Sequence, residues 1–270
     1  MTDLTTPAPT SFEFPGQYYE VMRKDFRDLQ AETDFLASLL PDGGTVLDLG
    51  SGTGTTLRAL RDRGHRGTGV DQSAAFTAYA REAGDEHLTY VHGRVEDFRT
   101  EERFDLVHSL FMTLNYLSRA ELADTLGRIR GWLNPGGRVV LEFGHLLNFV
   151  ETFQPYTVGH HRGEDGVLIT RLARQLIHPH TANWRNEETL LVRAADGTVS
   201  LYDNFFDQAV LTGPEIRDLL AAAGLEVTAE YGGFRKEPAP RHGRGPLVVV
   251  ATAQQSTAQQ STDRQKENHA

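Results

Sequence analysis

The sequence predicts an α/β protein built on a doubly wound, mostly parallel sheet. Short apolar runs alternate with segments of helical spacing through most of the chain, as expected when strands and helices follow one another in turn. A glycine-rich turn, GSGTG at 50–54, follows the first of these apolar runs. Three strand-like segments later occur in succession without helices, which predicts an antiparallel meander inserted late in the α/β domain.

The main sheet is expected to contain seven strands, at 45–49, 67–70, 88–91, 104–109, 138–143, 225–231 and 246–252. Helices are predicted at 17–40, 55–63, 73–82, 119–133 and 214–223, with Ser73 as the N-cap of the third. The meander strands are placed at 167–177, 184–192 and 199–210. There they could cover the carboxyl ends of the main strands, where open α/β sheets bind their ligands.

These elements divide the 270 residues into five units, one of which consists of two segments. Residues 1–11 are rich in Thr and Pro, and residues 253–270 contain the duplication QQSTAQQST, so both ends are expected to be disordered. Residues 12–40 are predicted to form a helical lid. Residues 41–145 and 211–252 form the α/β domain, and 146–210 an inserted cap that binds the substrate.

Composition excludes several classes of function. The formal net charge is -10, which argues against a nucleic-acid substrate because phosphate binding needs a basic face. The chain has no cysteine, so disulfides, thiolate metal sites and cysteine nucleophiles are excluded. No apolar stretch is long enough to span a bilayer, and the N-terminus lacks the pattern of a secretory signal. We therefore expect a cytoplasmic protein with no membrane partner.

The glycine turn and a nearby acid point to a nucleoside ligand. Glycines after a buried strand let the backbone approach a ligand closely. Asp71 ends the second predicted strand, where a carboxylate can accept hydrogen bonds from both ribose hydroxyls. A plain tight turn and a helix-terminal acid would explain each feature separately, but their spacing favours the ligand. The dinucleotide pattern G-x-G-x-x-G fails, because its last position is Thr55.

Five motifs in order resemble those of the class I S-adenosylmethionine-dependent methyltransferases, over residues 17–252. They are DLGSGTG at 48–54, GVD at 69–71, GRVEDF at 93–98, FDLV running on to LNYL at 104–117, and LNPGG at 133–137. The resemblance implies a Rossmann-like, seven-stranded fold and S-adenosylmethionine as cofactor. The cofactor-binding residues that it implies are Asp48, Gly50, Ser51, Gly52, Asp71, Gln72, Val95, Glu96, Asp97 and Ser109. Since Arg94 stands where the family often has an acid, the adenine amino contact is assigned to Glu96 or Asp97.

A narrower resemblance links the N-terminal segment and the meander to small-molecule N-methyltransferases that act on nucleotide-linked aminosugars. It implies that Tyr18 or Tyr19 approaches the sulfonium while the other packs. Tyr116 stands where these enzymes can carry a histidine, which weakens the sugar assignment but leaves methyl transfer intact. Tyr116 and His145, which follows the fifth strand, are further catalytic candidates. A metal site at His160 and His161, or at His178 and His180, lacks an acidic partner pattern and is not expected.

The predicted function is therefore methyl transfer to an amine or hydroxyl of a small molecule, an aminosugar or another secondary metabolite of the kind found in antibiotic biosynthesis. Two alternatives stay open: another adenosyl-ligand transferase, such as an aminopropyltransferase, and a non-catalytic protein that senses the cofactor. The expected partner is a small-molecule acceptor rather than nucleic acid or membrane, and a homodimer is left open.

Overall fold

The computed structural model describes residues 12–236 and 245–254. The segment 1–11 and residues 255–270 of the tail, both predicted to be disordered, lie outside the described residues. The helices are α1 Gly16–Phe26, α2 Leu29–Ala37, α3 Thr55–Arg61, α4 Ala74–Glu82, α5 Arg119–Gly131, α6 Leu146–Thr152 and α7 Gly213–Ala222. The strands are β1 Thr45–Leu49, β2 Arg66–Asp71, β3 Leu88–His92, β4 Phe104–Ser109, β5 Leu133–Phe143, β6 Tyr156–Arg162, β7 Leu168–His178, β8 Asn183–Arg193, β9 Val199–Ala209, β10 Leu225–Tyr231 and β11 Leu247–Ala253.

Seven strands form the main sheet in the order β10-β11-β5-β4-β1-β2-β3, which confirms the predicted fold class. Strands β1 to β5 run parallel, and β11 pairs antiparallel with both β5 and β10. The central strands are buried on both faces, with Val46, Leu47 and Leu49 fully enclosed. Helices therefore cover both sides of the sheet, as expected for a doubly wound domain.

The meander is a separate antiparallel sheet of four strands, in the order β6-β7-β8-β9. The sequence predicted the last three strands and missed β6. Strand β6 lies at the edge and mostly alternates exposed with half-buried residues, so it has no run of core positions from which a strand could be recognised. Its neighbours pair in regular antiparallel register over their full length.

The N-terminal segment is two helices rather than the single helix predicted at 17–40. The break falls at Arg27 and Asp28, where Arg27 is extended and the Asp28 side chain accepts a hydrogen bond from the Ala31 backbone at 3.0 Å. Asp28 thereby caps α2, which favours a new helix start over continuation of α1. The apolar spacing continues across the break, so periodicity alone could not reveal it.

Other boundaries differ from the prediction by a few residues. Helix α5 ends at Gly131, and β5 begins at Leu133, five residues before the predicted start at 138. Ala253 belongs to β11 rather than to the tail, and the short helix α6 was not predicted. None of the helices within residues 12–236 and 245–254 is long and apolar enough to cross a membrane.

Buried charges tie the N-terminal helices to the main sheet. The Arg27 guanidinium donates to both carboxylate oxygens of Glu142 at 2.8 Å, and Glu142 lies near the end of β5. Arg27 also pairs with Glu32 of α2, which accepts from Arg23 of α1 at 2.8 Å. Planar, bidentate pairing of this kind is the arrangement in which an arginine is held most firmly. The pairing fixes where α1 and α2 lie relative to the ends of the strands.

We expect Arg27→Met to destabilise the fold by about 3–5 kcal/mol, because it leaves the buried Glu142 carboxylate without its partner. The matched control is Arg217→Met. Arg217 pairs with Glu230 through the same two-bond geometry, at 2.7 and 2.8 Å, but its side chain is 50% exposed. Its loss should cost about 1 kcal/mol or less. Urea unfolding measures both, and equal losses for the two variants would contradict the role given to the buried pair.

Candidate active site

The turn after β1 is held by one carbonyl oxygen. The backbone N–H groups of Gly50 and Ser51 both donate to the Val70 carbonyl, at 2.8 and 3.0 Å. Gly50 has φ +83°, and a Cβ at this position would lie 2.3 Å from the Thr113 side chain. Glycine is therefore required both by the backbone conformation and by the close approach of the loop after β4. The turn presents bare backbone at the carboxyl ends of the strands.

Asp71 ends β2 beside this turn. Its two carboxylate oxygens accept hydrogen bonds from the backbone N–H groups of Gly52 and Ser73, each at 2.8 Å. Burial raises the pKa of Asp71, and these two hydrogen bonds oppose that effect. Ser73 also caps α4 by accepting from the Phe76 N–H at 3.2 Å, which confirms the predicted N-cap. The carboxylate is thus locked in orientation against the glycine turn.

A cavity opens between this turn, the loops after β3 and β4, and the N-terminal segment. Its walls combine backbone, carboxylates and aromatic rings, which suits a ligand with both polar and apolar parts. We refer to it as the main cavity. It is lined by Phe12, Tyr19, Gly50, Gly52, Asp71, Gln72, Phe76, Arg94, Val95, Glu96, Phe111, Thr113, Tyr116 and Leu117.

Six of the ten residues assigned to the cofactor line the main cavity, namely Gly50, Gly52, Asp71, Gln72, Val95 and Glu96. Asp48 and Ser51 line a smaller cavity that adjoins it at Tyr19, Gly50, Gly52 and Phe111. Asp97 and Ser109 line neither of these two cavities. The Ser109 hydroxyl donates to the Leu49 carbonyl at 2.7 Å, and Asp97 ends a 3-10 turn. Cofactor contacts at Asp97 and Ser109 stay predictions.

The structure separates the two adjacent tyrosines of α1. Tyr19 lines the main cavity and packs against Phe76, with ring centroids 5.0 Å apart. Tyr18 points instead to the meander, where its ring lies 6.0 Å from that of Tyr202. Tyr116 lines the main cavity from the loop after β4. Of the tyrosine candidates, Tyr19 and Tyr116 therefore stand where catalysis could use them.

His145 lies apart from the main cavity. It precedes α6 and forms a bridge with Leu211, just beyond the end of β9. Burial lowers its pKa, so the imidazole is neutral near pH 7. The catalytic assignment of His145 stays a prediction. Because His145 does not line the main cavity, its imidazole could reach an acceptor only from outside that cavity.

The two cavity tyrosines are protonated groups. Burial raises the pKa of Tyr19 and of Tyr116 far above the ordinary value for a phenol. Each side chain keeps some accessible surface, in keeping with its place in the cavity wall. Both hydroxyls are thus hydrogen-bond donors at neutral pH rather than bases.

Asp48 lines the smaller cavity and lies beside a buried histidine. Asp48 Oδ1 lies 3.4 Å from His108 Nδ1, and both side chains are enclosed. Burial raises the pKa of Asp48 and lowers that of His108 to about 3, so His108 carries no charge. Arg23 of α1 lines the same cavity, and its positive charge acts to lower the pKa of Asp48, against the larger effect of burial. This cavity can therefore take a polar group that extends from the main one.

Several wall residues were not found from the sequence. They are Phe12, Phe76, Arg94, Phe111, Thr113 and Leu117. Phe111 and Met112 adopt positive φ angles, 54° and 59°, which is rare outside glycine and often marks a functional loop. The sequence Phe-Met does not favour positive φ angles, so this loop conformation could be recognised only from the folded backbone.

Comparison with known proteins identifies the family of this chain. Residues 46–137 match the model of a methyltransferase domain family. A cypemycin N-terminal methyltransferase from Streptomyces sp is 30% identical over 215 residues, which cover 77% of this chain and 83% of that protein. The chain belongs to the class I S-adenosylmethionine-dependent methyltransferases. Its cofactor is S-adenosylmethionine.

Further relatives of the methyltransferase act on amino sugars by name. A dTDP-3-amino-3,6-dideoxy-alpha-D-glucopyranose N,N-dimethyltransferase from Streptomyces fradiae is 29% identical over 232 residues, covering 84% of this chain and 89% of that protein. The S-adenosylmethionine-bound structure of CalS10, an amino pentose methyltransferase from Micromonospora echinaspora, aligns with TM-score 0.67 and 26% identity. That alignment covers 91% of this chain and all of CalS10.

We expect Asp71→Ala to weaken S-adenosylmethionine binding by about 1–3 kcal/mol, because the ribose hydroxyls would lose their acceptor. The matched control is Asp196→Ala. Asp196 makes the same local turn by accepting from the backbone N–H two residues later, at 2.8 Å, but lies in an exposed meander hairpin. Calorimetry with folded protein measures both affinities. Wild-type affinity in Asp71→Ala would refute the ribose role.

Proposed function

We propose that the enzyme transfers the methyl group to an amine of a small polar acceptor, with an amino sugar as the class best supported. The observation that carries this proposal is the main cavity, whose wall combines Gly50 and Asp71 with the tyrosines Tyr19 and Tyr116. The named activities of the relatives from Streptomyces fradiae and Micromonospora echinaspora support the same class. The latter is involved in calicheamicin biosynthesis, which favours a secondary metabolite as the acceptor.

The residues fit the cofactor by chemistry. The backbone of Gly50 and Gly52 leaves room for close approach, and Asp71 offers a fixed carboxylate for the ribose. Val95, Phe111 and Leu117 are apolar residues of the same wall that would pack against the adenine. When bound, S-adenosylmethionine supplies a methyl group already activated by the sulfonium charge. The chain must therefore bind, orient and exclude water rather than generate a reactive group.

An amine suits this wall better than a hydroxyl. A hydroxyl acceptor needs a general base near the working pH, whereas an amine attacks once it is neutral. The phenols of Tyr19 and Tyr116 are held protonated by burial, and backbone donors fix the Asp71 carboxylate at the position assigned to the ribose. The two phenols can instead donate hydrogen bonds or place their oxygens near the reacting carbon. This arrangement orients an acceptor without removing a proton from it.

The proposed lid at 12–40 and the proposed cap at 146–210 share one apolar cluster. Phe14 and Met22 of the N-terminal segment are buried together with Phe76 of α4 and with Ile169 and Leu190 of the meander. A displacement of residues 12–40 would therefore disturb the packing of residues 146–210. We infer that the two segments enclose the cofactor and acceptor from one side of the sheet, in an enzyme of the cytoplasm.

A labelling experiment tests the acceptor class. The enzyme is incubated with methyl-labelled S-adenosylmethionine and dTDP-3-amino-3,6-dideoxy-α-D-glucopyranose, its counterpart with a hydroxyl at carbon 3, or a peptide with a free N-terminus. We expect label on the amino sugar and none on the hydroxyl sugar. Transfer to the hydroxyl sugar, to the peptide alone, or to no amine would overturn the proposal.

Tyr19→Phe should lower kcat about tenfold or more with little change in cofactor affinity, because its hydroxyl acts in the closed, reacting geometry. Tyr18→Phe is the matched control, since the neighbouring ring packs against Tyr202 outside the cavity. Its kcat should stay near that of the wild type. Steady-state kinetics and cofactor titration separate the two effects. If both variants and the double variant turn over normally, the lid hydroxyl has no catalytic part.

A further inference from the structure

The inner face of the meander carries a cluster of buried polar side chains. Asn186 and Glu188 lie on β8, and Asn204 and Gln208 lie on β9, with their side chains almost fully buried. Glu188 and Asn204 are directly opposite each other in the β8–β9 register, and Trp184 is opposite Gln208. The inner face of a sheet that packs on a protein core is normally apolar. We call these five residues the meander polar cluster.

Glu188 is the only carboxylate of the cluster, and it is held in place from one side. Arg171 of β7 and the Asn186 amide both donate to the same oxygen, Oε1. Neither donor uses Oε2. A buried carboxylate with two donors on one oxygen keeps a fixed orientation and retains capacity to accept a hydrogen bond on the other.

Other members of the cluster have polar atoms without partners. Asn204 is 2% exposed, and neither its amide nitrogen nor its amide oxygen has a hydrogen bond within the described part of the chain. The same holds for the Asn186 oxygen, the Gln208 oxygen and the Trp184 indole nitrogen. Buried groups of this kind are rare in folded proteins and need a specific explanation.

Asn115 shows what a structural asparagine looks like in this protein. It is fully buried, donates to the carbonyls of Gly144 and Ala209 at 2.9 and 2.8 Å, and accepts from the Gly144 N–H at 3.0 Å. It thereby joins the loop after β4 to the ends of β5 and β9. Asn204 makes none of these bonds and joins nothing, so a structural role does not account for it.

The meander polar cluster adjoins the main cavity. Phe206 lies between Asn204 and Gln208 on the same side of β9, and its ring is 5.6 Å from Tyr116 and 5.3 Å from Phe12. The Gln208 amide nitrogen donates to the Met112 carbonyl at 3.5 Å. The Glu188 charge also adds to the burial that raises the pKa of Tyr116. The cluster thus lies beside the aromatic part of the main cavity, with Phe206 between the cluster and the wall residues Phe12 and Tyr116.

We propose that the meander polar cluster is the acceptor subsite, and that it takes a polyhydroxylated amine, with Glu188 and Asn204 as its main contacts. This proposal rests on the proposed function. Most of the unpaired groups accept hydrogen bonds: the amide oxygens of Asn186, Asn204 and Gln208, together with the Glu188 carboxylate. The unpaired donors are the Asn204 amide nitrogen and the Trp184 N–H. Such a set matches a ligand rich in N–H and O–H donors, such as an aminated sugar ring, more closely than an apolar amine or an ester.

Glu188→Gln and Asn204→Leu test the subsite by direct binding. The probe is dTDP-3-amino-3,6-dideoxy-α-D-glucopyranose, titrated into enzyme saturated with S-adenosylhomocysteine. Each variant should bind the probe at least about tenfold more weakly, because a polar contact is lost. The affinity for S-adenosylhomocysteine should be unchanged. Asn204→Leu should fold at least as stably as the wild type, since it replaces unpaired polar atoms with apolar ones.

The matched control is Glu187→Gln. Glu187 is the next residue on β8, faces the outer side of the meander and pairs with Arg174 at 3.4 Å, so probe binding should be unaffected. Wild-type probe affinity in both cluster variants would overturn the subsite while leaving methyl transfer to an amine intact. Failure of the wild type to bind the probe would overturn the ligand class. A third outcome separates the two proposals. If the wild type binds the probe tightly, the cluster variants lose that binding, and no amine receives label, the proposed function would be overturned while the subsite would be supported.

Discussion

The carbonyl oxygen of Val70 is the point on which the site depends. It accepts hydrogen bonds from Gly50 and Ser51, and so joins the end of β1 to the end of β2 just where Asp71 begins the next turn. The close approach of the turn to β2 also requires glycine at position 69, since a Cβ there would lie 2.6 Å from the Ser51 hydroxyl. The parallel register of β1 and β2 carries the glycine turn and the carboxylate to one edge. Everything else in the site is arranged around that pair.

The site also depends on contacts between distant parts of the chain, which hold the N-terminal helices and the loop after β4 against the end of β5. Arg27 lies between α1 and α2 yet is held by Glu142, 115 residues away, and its guanidinium also stacks over the Phe111 ring at 5.0 Å. The Phe111 N–H in turn donates to Glu142 at 2.6 Å. One carboxylate thus positions both the N-terminal helices and the loop that carries Phe111. Because a sulfonium methyl donor reacts best in a dry, oriented site, this connection links fold stability to function.

The motif residues could be read from the sequence because they act through local backbone. Gly50, Gly52 and Asp71 lie in short turns whose geometry is set by neighbours within a few residues or by the adjacent strand. The meander was visible as a departure from alternating strands and helices, although its edge strand β6 lacked a core pattern and was missed. The helix break at Asp28 was also missed, since apolar spacing continues across a capped junction.

The sequence by itself determined the fold class, the cofactor and the edge of the sheet where the main cavity opens. Tertiary structure alone decided that Tyr19 and not Tyr18 faces the cavity, that His145 lies apart from it, and that Glu188 stands opposite Asn204. The physical reason is separation along the chain. A glycine turn needs only its own backbone and the next strand, whereas an acceptor pocket is formed by side chains from segments that meet only after two sheets and a lid have packed together.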